Sequence, residues 1–212
     1  MSASVADHPT VLVLASTFPR WKGDPEPGFV HELAKRLTTE FNIIVLCPHA
    51  PGAQLNEWMD GVEVIRYRYA PSRLETLVND GGIVTNLKNQ PLKLLLVPGF
   101  VLMQAWRAWR LCRTRKIDAI HAHWLIPQGL IAALLLALSG GRVRFLVTSH
   151  GADLYALRGR ALETVKRFVL RKATVASVVS SAMQETVAQL GADMSKVVVQ
   201  PMGVDMNSRF VP

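Results

Sequence analysis

The chain has 212 residues, half of them hydrophobic and 19% charged, with 24 basic against 16 acidic side chains and a net charge of +8. That balance excludes intrinsic disorder, and the length suits one large domain with a sizeable core. Two cysteines, Cys47 and Cys112, are too few for a disulfide framework, and residues 1–10 carry Asp7 and His8 but no apolar signal-peptide core, so a cytoplasmic protein is expected.

Residues 11–14 (Val-Leu-Val-Leu) read as a first strand and 42–46 as the next, while residues 62–67 alternate like a strand with one wet face. Between the first two, Phe29, Val30, Leu33, Ala34 and Leu37 share one helical face, with Pro27 suited to the first turn. Segment 69–90, with Pro71, Asn79, Asp80 and the Gly81-Gly82 pair, has no period and is expected to be a mobile loop. Helices are predicted over 92–115 (interrupted near Pro98 and Gly99), 127–138, 159–172 and 182–190, and strands over 117–120, 143–147, 175–179 and 197–199. Strands alternating with helices at this spacing predict an α/β, Rossmann-like domain: a parallel sheet with helices on both faces. The apolar run 130–138 is about half the length of a membrane span.

Charge is concentrated in the middle of the chain. Residues 1–86 carry 7 basic and 10 acidic groups, residues 87–172 carry 15 and 3, and residues 173–212 carry 2 and 3. Between 87 and 116 there are seven basic residues and no acid, among them Arg107, Arg110 and Arg113 beside Trp106 and Trp109. A basic helix with leucine and tryptophan suits an anionic membrane surface, and a core helix with solvated arginines is the plainer alternative. No nucleic-acid-reading module accompanies the basicity, so nucleic acid is not expected as a partner.

Ligands of open parallel sheets bind beyond the carboxyl ends of the strands, and four unusual clusters follow predicted strands. Residues 16–30 run from strand to helix without G-x-G-x-x-G or a P-loop, and Gly28 at a helix start either admits an anion or merely turns the chain. The anion reading requires Asp24 and Glu26 to turn away. His121 and His123 share one strand face, but with no third ligand no metal is expected, and hydrogen bonding or packing at the crevice wall is the preferred role. In Thr148-Ser149-His150-Gly151-Ala152-Asp153 the glycine turns the chain and leaves an imidazole and a carboxylate for sugar hydroxyls; a helix-capping Asp with a surface His is the other reading. Pro201-Met202-Gly203-Val204-Asp205 looks like a linker.

Together the four clusters resemble, in order and over nearly the whole chain, the N-terminal half of the GT4-type (GT-B fold) retaining glycosyltransferases. The resemblance implies an acceptor-binding lobe over residues 1–203, with 204–212 beginning the crossover to a C-terminal lobe that binds the nucleotide-sugar. It places His150 at the reacting sugar, Gly28 where a glycine loop approaches the donor phosphate, and Asp153 in support of the His150 turn. His123, Gly151 and Ser180 become cleft-lining, substrate-binding candidates. Pro27-Gly28 stands where the family has a Gly-Gly pair, and Glu26, Glu32 and Glu40 do not supply the E-x(7)-E segment of the second lobe in its expected place. No cofactor beyond the donor is implied, and the chain alone is expected to be inactive. The expected partners are a sugar or lipid-linked acceptor, a second lobe or second chain, and an anionic membrane surface touched from the cytoplasmic side. The alternatives are a subunit of a two-chain enzyme and a non-enzymatic module for anionic lipid or glycan.

Overall fold

In the computed structural model, which describes residues 8–24, 28–79, 81–138, 140 and 143–203, the apolar runs assemble into one eight-stranded sheet. Its strands are β1 (Thr10–Leu14), β2 (Asn42–Pro48), β3 (Asn56–Met59), β4 (Val62–Tyr67), β5 (Ala119–His123), β6 (Arg144–Ser149), β7 (Val175–Val178) and β8 (Val197–Val199). They lie in the order β3-β4-β2-β1-β5-β6-β7-β8, all parallel except β3, which runs antiparallel to β4 at the edge. Edge strand β3 has no counterpart among the predicted strands; its sequence, Asn-Glu-Trp-Met, is short and half polar, and an edge strand has only one neighbour to satisfy.

The helices are α1 (Phe29–Leu37), α2 (Gly82–Asn89), α3 (Val97–Thr114), α4 (Leu130–Leu138), α5 (Ala152–Tyr155), α6 (Arg160–Lys172) and α7 (Ser181–Gln189). Alternate residues of each strand point to opposite layers. Leu12, Leu14, Ile44, Leu46, Ile120, Ala122, Phe145 and Val147 join Phe100 and Ala108 of α3, Ile131 of α4 and Val169 of α6 in one core. Val13, Ile43, Val45 and Val64 pack with Val30 and Ala34 of α1 in the other. A sheet covered on both faces explains why its strands read as nearly continuous apolar runs.

Three expectations are corrected. The wet face assigned to residues 62–67 is reduced to half-buried Glu63, and the other polar side chain is dry: Arg66 is 1% exposed, and its guanidinium donates to the carbonyls of Gln54 (2.7 Å) and Pro19 (2.8 Å) and pairs with Glu57. Segment 69–90 is structured, not an unpatterned loop. Leu77 and Val78 are buried, a 3-10 turn spans Ser72–Leu74, and Gly82–Asn89 is helical. Its anchors are polar: the Tyr69 hydroxyl accepts from the Leu77 amide (3.0 Å), and fully buried Glu75 is held by His49 (2.6 Å) and Arg68 (3.2 Å). The break expected near Pro98 and Gly99 falls one turn earlier, where the 3-10 segment Pro91–Leu96 passes into α3; proline is accommodated in the first helical turn.

Candidate active site at the carboxyl rim of the sheet

β5 ends in His121, Ala122 and His123, and β6 ends in Thr148 and Ser149. Since Ile120, Ala122, Phe145 and Val147 face the α3 layer, the intervening His121, His123 and Thr148 face the α1 side. Ser177 of β7 follows the same alternation between Ala176 and Val178.

This parity builds a polar row across three strands at the rim. Ser177 Oγ lies 2.7 Å from Thr148 Oγ1, which lies 2.8 Å from His121 Nε2. The His121 and His123 rings are 4.2 Å apart between centroids, and His123 Nδ1 lies 2.9 Å from His150 Nε2. His150 closes the row as its most accessible imidazole, packed against Phe29 (4.8 Å) and Trp124 (5.0 Å). Gly28 immediately precedes Phe29 and its carbonyl accepts the Glu32 amide (2.8 Å), so the first and third clusters meet at the start of α1.

All three imidazoles are uncharged near neutral pH. Burial lowers His121 to about 4, assisted by the neighbouring His150. Burial alone lowers His150 to about 4. His123 goes well below the ordinary imidazole value, through burial and then the proximity of His121 and His150. Among the described residues no group of three or more His, Cys, Asp or Glu is arranged to hold a metal.

Asp153 lies under the turn. Its carboxylate is 3% exposed and accepts from the Leu125 amide (2.6 Å) and the Ser149 hydroxyl (2.9 Å), tying the segment after β5 to the segment after β6. Burial raises its pKa while these hydrogen bonds oppose the rise. Gly151 has φ +100°, a conformation L side chains rarely adopt, so glycine is what permits the turn from His150 into α5. Ser180 stands at the same rim after β7 with its hydroxyl capping α7, accepting from the Met183 amide at 3.4 Å.

In the first cluster Asp24 is turned inward, bound by Arg20 through its side chain (2.7 and 2.8 Å) and backbone amide (2.7 Å). Glu26 lies outside the described residues, as do residues 204–212, where a crossover to a second lobe is expected. Arg107, Arg110 and Arg113 sit on α3, away from the imidazole row. Sequence reasoning did not find Arg66, whose contacts to Pro19 and Arg20 carbonyls fix the loop after β1. Its signal is an arginine inside an apolar strand. Buried Gln104 was also missed: it donates to the carbonyls ending β1 (Ala15, 3.1 Å) and β2 (Leu46, 3.4 Å). A glutamine on the helix stripe of Phe100 and Ala108 is the corresponding clue.

A parallel sheet with a polar row at its carboxyl rim defines a Rossmann-like lobe of the type that forms half of a GT-B glycosyltransferase. The chain belongs to the glycosyl transferase 4-like family, whose domain it matches over residues 28–203. It is 26% identical over 87 residues to the N-acetyl-alpha-D-glucosaminyl L-malate synthase of Bacillus anthracis, a match covering 41% of this chain and 23% of that protein. Its fold is similar to Anabaena HepE in complex with UDP and glucose (TM-score 0.58, 14% identity, 93% of this chain and 45% of that one). It is also similar to the lipopolysaccharide outer core galactosyltransferase WaaB (TM-score 0.58, 10% identity, 94% and 47%). The chain therefore spans under half the length of these relatives.

Proposed function

We propose that this chain is the acceptor-binding lobe of a retaining glycosyltransferase that uses a nucleotide-sugar donor, with a second lobe, in the same or another chain, holding most of the donor. The carrying observation is the meeting of His150 with the start of α1, where Phe29 lies 4.8 Å from its ring. His150 Nε2 is committed to His123, so a ligand meets the other ring nitrogen, Nδ1. A neutral imidazole can hydrogen-bond a sugar hydroxyl beside the reacting carbon without adding a charge there. The acceptor hydroxyl then attacks on the face from which the nucleotide departs. His123 and the Asp153-Gly151 turn keep the imidazole in place, and Ser180 and Gly28 stand on the flanks of the same rim.

Departure of a nucleoside diphosphate requires cations aimed at the developing charge. Three arginines associated with this rim and its loops, Arg20, Arg66 and Arg68, are paired with Asp24, Glu57 and Glu75. This pairing supports a diphosphate clamp on the second lobe and inactivity of the present chain by itself. The test is sugar transfer by the chain combined with a donor lobe. His150→Ala is expected to lower transfer by about a hundredfold, the scale of removing one positioned hydrogen-bonding group, with the fold retained. Undiminished transfer by His150→Ala, or turnover by the 212-residue chain alone, overturns the reading.

A further inference from the structure

Helix α3 is amphipathic in an unusual sense. Phe100, Gln104 and Ala108 form its buried stripe, as expected of a helix covering a sheet. Its opposite stripe is also apolar: Leu102 is 67% exposed, Trp106 44% and Trp109 42%. In the preceding 3-10 segment Leu92 (83%) and Leu95 (80%) are exposed as well. Isolated exposed leucines need no explanation, but a continuous stripe marks a surface that meets another phase or molecule.

The charge around the stripe has one sign. Arg107 and Arg110 flank the Trp106 ring (5.6 and 5.7 Å), and Arg113 flanks Trp109 (5.8 Å). None of these three arginines has an ion-pair partner among the described residues, and no acid occurs between residues 87 and 116. The occupant must therefore accept leucine in its interior, tryptophan at its boundary and guanidinium at its negative surface. An anionic lipid bilayer has this layering. No described helix is long and apolar enough to cross a membrane, so the contact is one of lying on the surface.

We propose that α3 and the Pro91–Leu96 segment lie in the headgroup plane of an anionic bilayer, with the leucines inserted and the three arginines on lipid phosphates. The placement has a consequence for the site. The amino end of α3 is at the carboxyl rim of the sheet, because Phe100 packs on Tyr67 and Tyr69 (5.7 and 5.5 Å) and Gln104 reaches the ends of β1 and β2. Leu92 and Leu95 continue from that end, so the docked chain holds the rim at the membrane surface and takes an acceptor carried on a lipid. The lipid-borne acceptor rests on the transferase reading; the bilayer contact does not.

Co-sedimentation with vesicles tests the contact. The chain is expected to bind vesicles containing phosphatidylglycerol, to release them at high salt, and to bind phosphatidylcholine vesicles much more weakly. Each basic residue near such a surface contributes about a fivefold gain, so R107Q/R110Q/R113Q should lose about a hundredfold in affinity. L95E/L102E changes only exposed positions and should abolish binding with an unchanged thermal midpoint. Absence of binding to the anionic vesicles, or wild-type binding by both variants, overturns the proposal. So does a dimer in solution that L95E/L102E dissociates while vesicles are ignored, since the stripe then belongs to a second copy. Transfer to a water-soluble acceptor is measured separately, so failure of vesicle binding and failure of the transferase reading give different results.

Discussion

Acidification from about pH 7 to about pH 4 challenges the imidazole row more than any other described feature. In the unfolded chain His121 and His150 titrate near 6.5, and in the folded chain near 4. A group with a depressed folded pKa gives a contribution that is complete above the unfolded pKa and is lost as pH falls toward the folded one. Between these values the unfolded state binds the extra proton, so each histidine removes about 1.4 kcal/mol per pH unit. Over the interval this is about 3 kcal/mol for each of the two, or roughly 6 kcal/mol together, and His123 acts in the same direction. Asp153, whose folded pKa is raised, acts in the opposite direction and offsets part of the loss. A domain is stable by about 5–15 kcal/mol, so a large share of the margin is at stake. Urea unfolding at a series of pH values measures the effect: a plateau is expected above about pH 6.5, with a steep fall below it. His150→Gln should reduce the slope between about pH 5 and 6 by about 1.4 kcal/mol per pH unit. Stability that is flat over this range, or imidazole resonances of His121 and His150 titrating near 6.5, would refute the reasoning.

Two further variants probe how the rim is held. Asp153→Ala removes the acceptor for the Leu125 amide and the Ser149 hydroxyl; chemical denaturation should show a loss of about 3 kcal/mol, with Asp153→Asn recovering part of it. Gly99→Ala puts a Cβ 2.6 Å from the Tyr69 carbonyl oxygen, a backbone atom that cannot swing aside. The displaced start of α3 should lower stability by about 1–3 kcal/mol and should weaken vesicle binding.

Much of the fold was legible along the chain. Six of the eight strands announce themselves as apolar runs and β4 as an alternating one, and α1 as a periodic segment, because burial against the sheet imposes the pattern residue by residue. The exceptions have a common cause. β3 is held mainly by pairing with β4, and the 69–90 segment by Glu75, Tyr69 and a few buried side chains contacting distant residues. Neither leaves a local period.

The candidate site divides along the same line. The order of the clusters and the dense charge of residues 87–116 are properties of the sequence itself, and they were enough to suggest the family and an anionic partner. Only the folded chain decides that His150 rests on His123 and Phe29, that Asp24 is consumed by Arg20, and that Arg66 is dry. It also decides that the leucines and tryptophans of α3 face outward. Periodicity shows that residues share a side, but which side meets the sheet depends on surfaces contributed by strands far away in the chain.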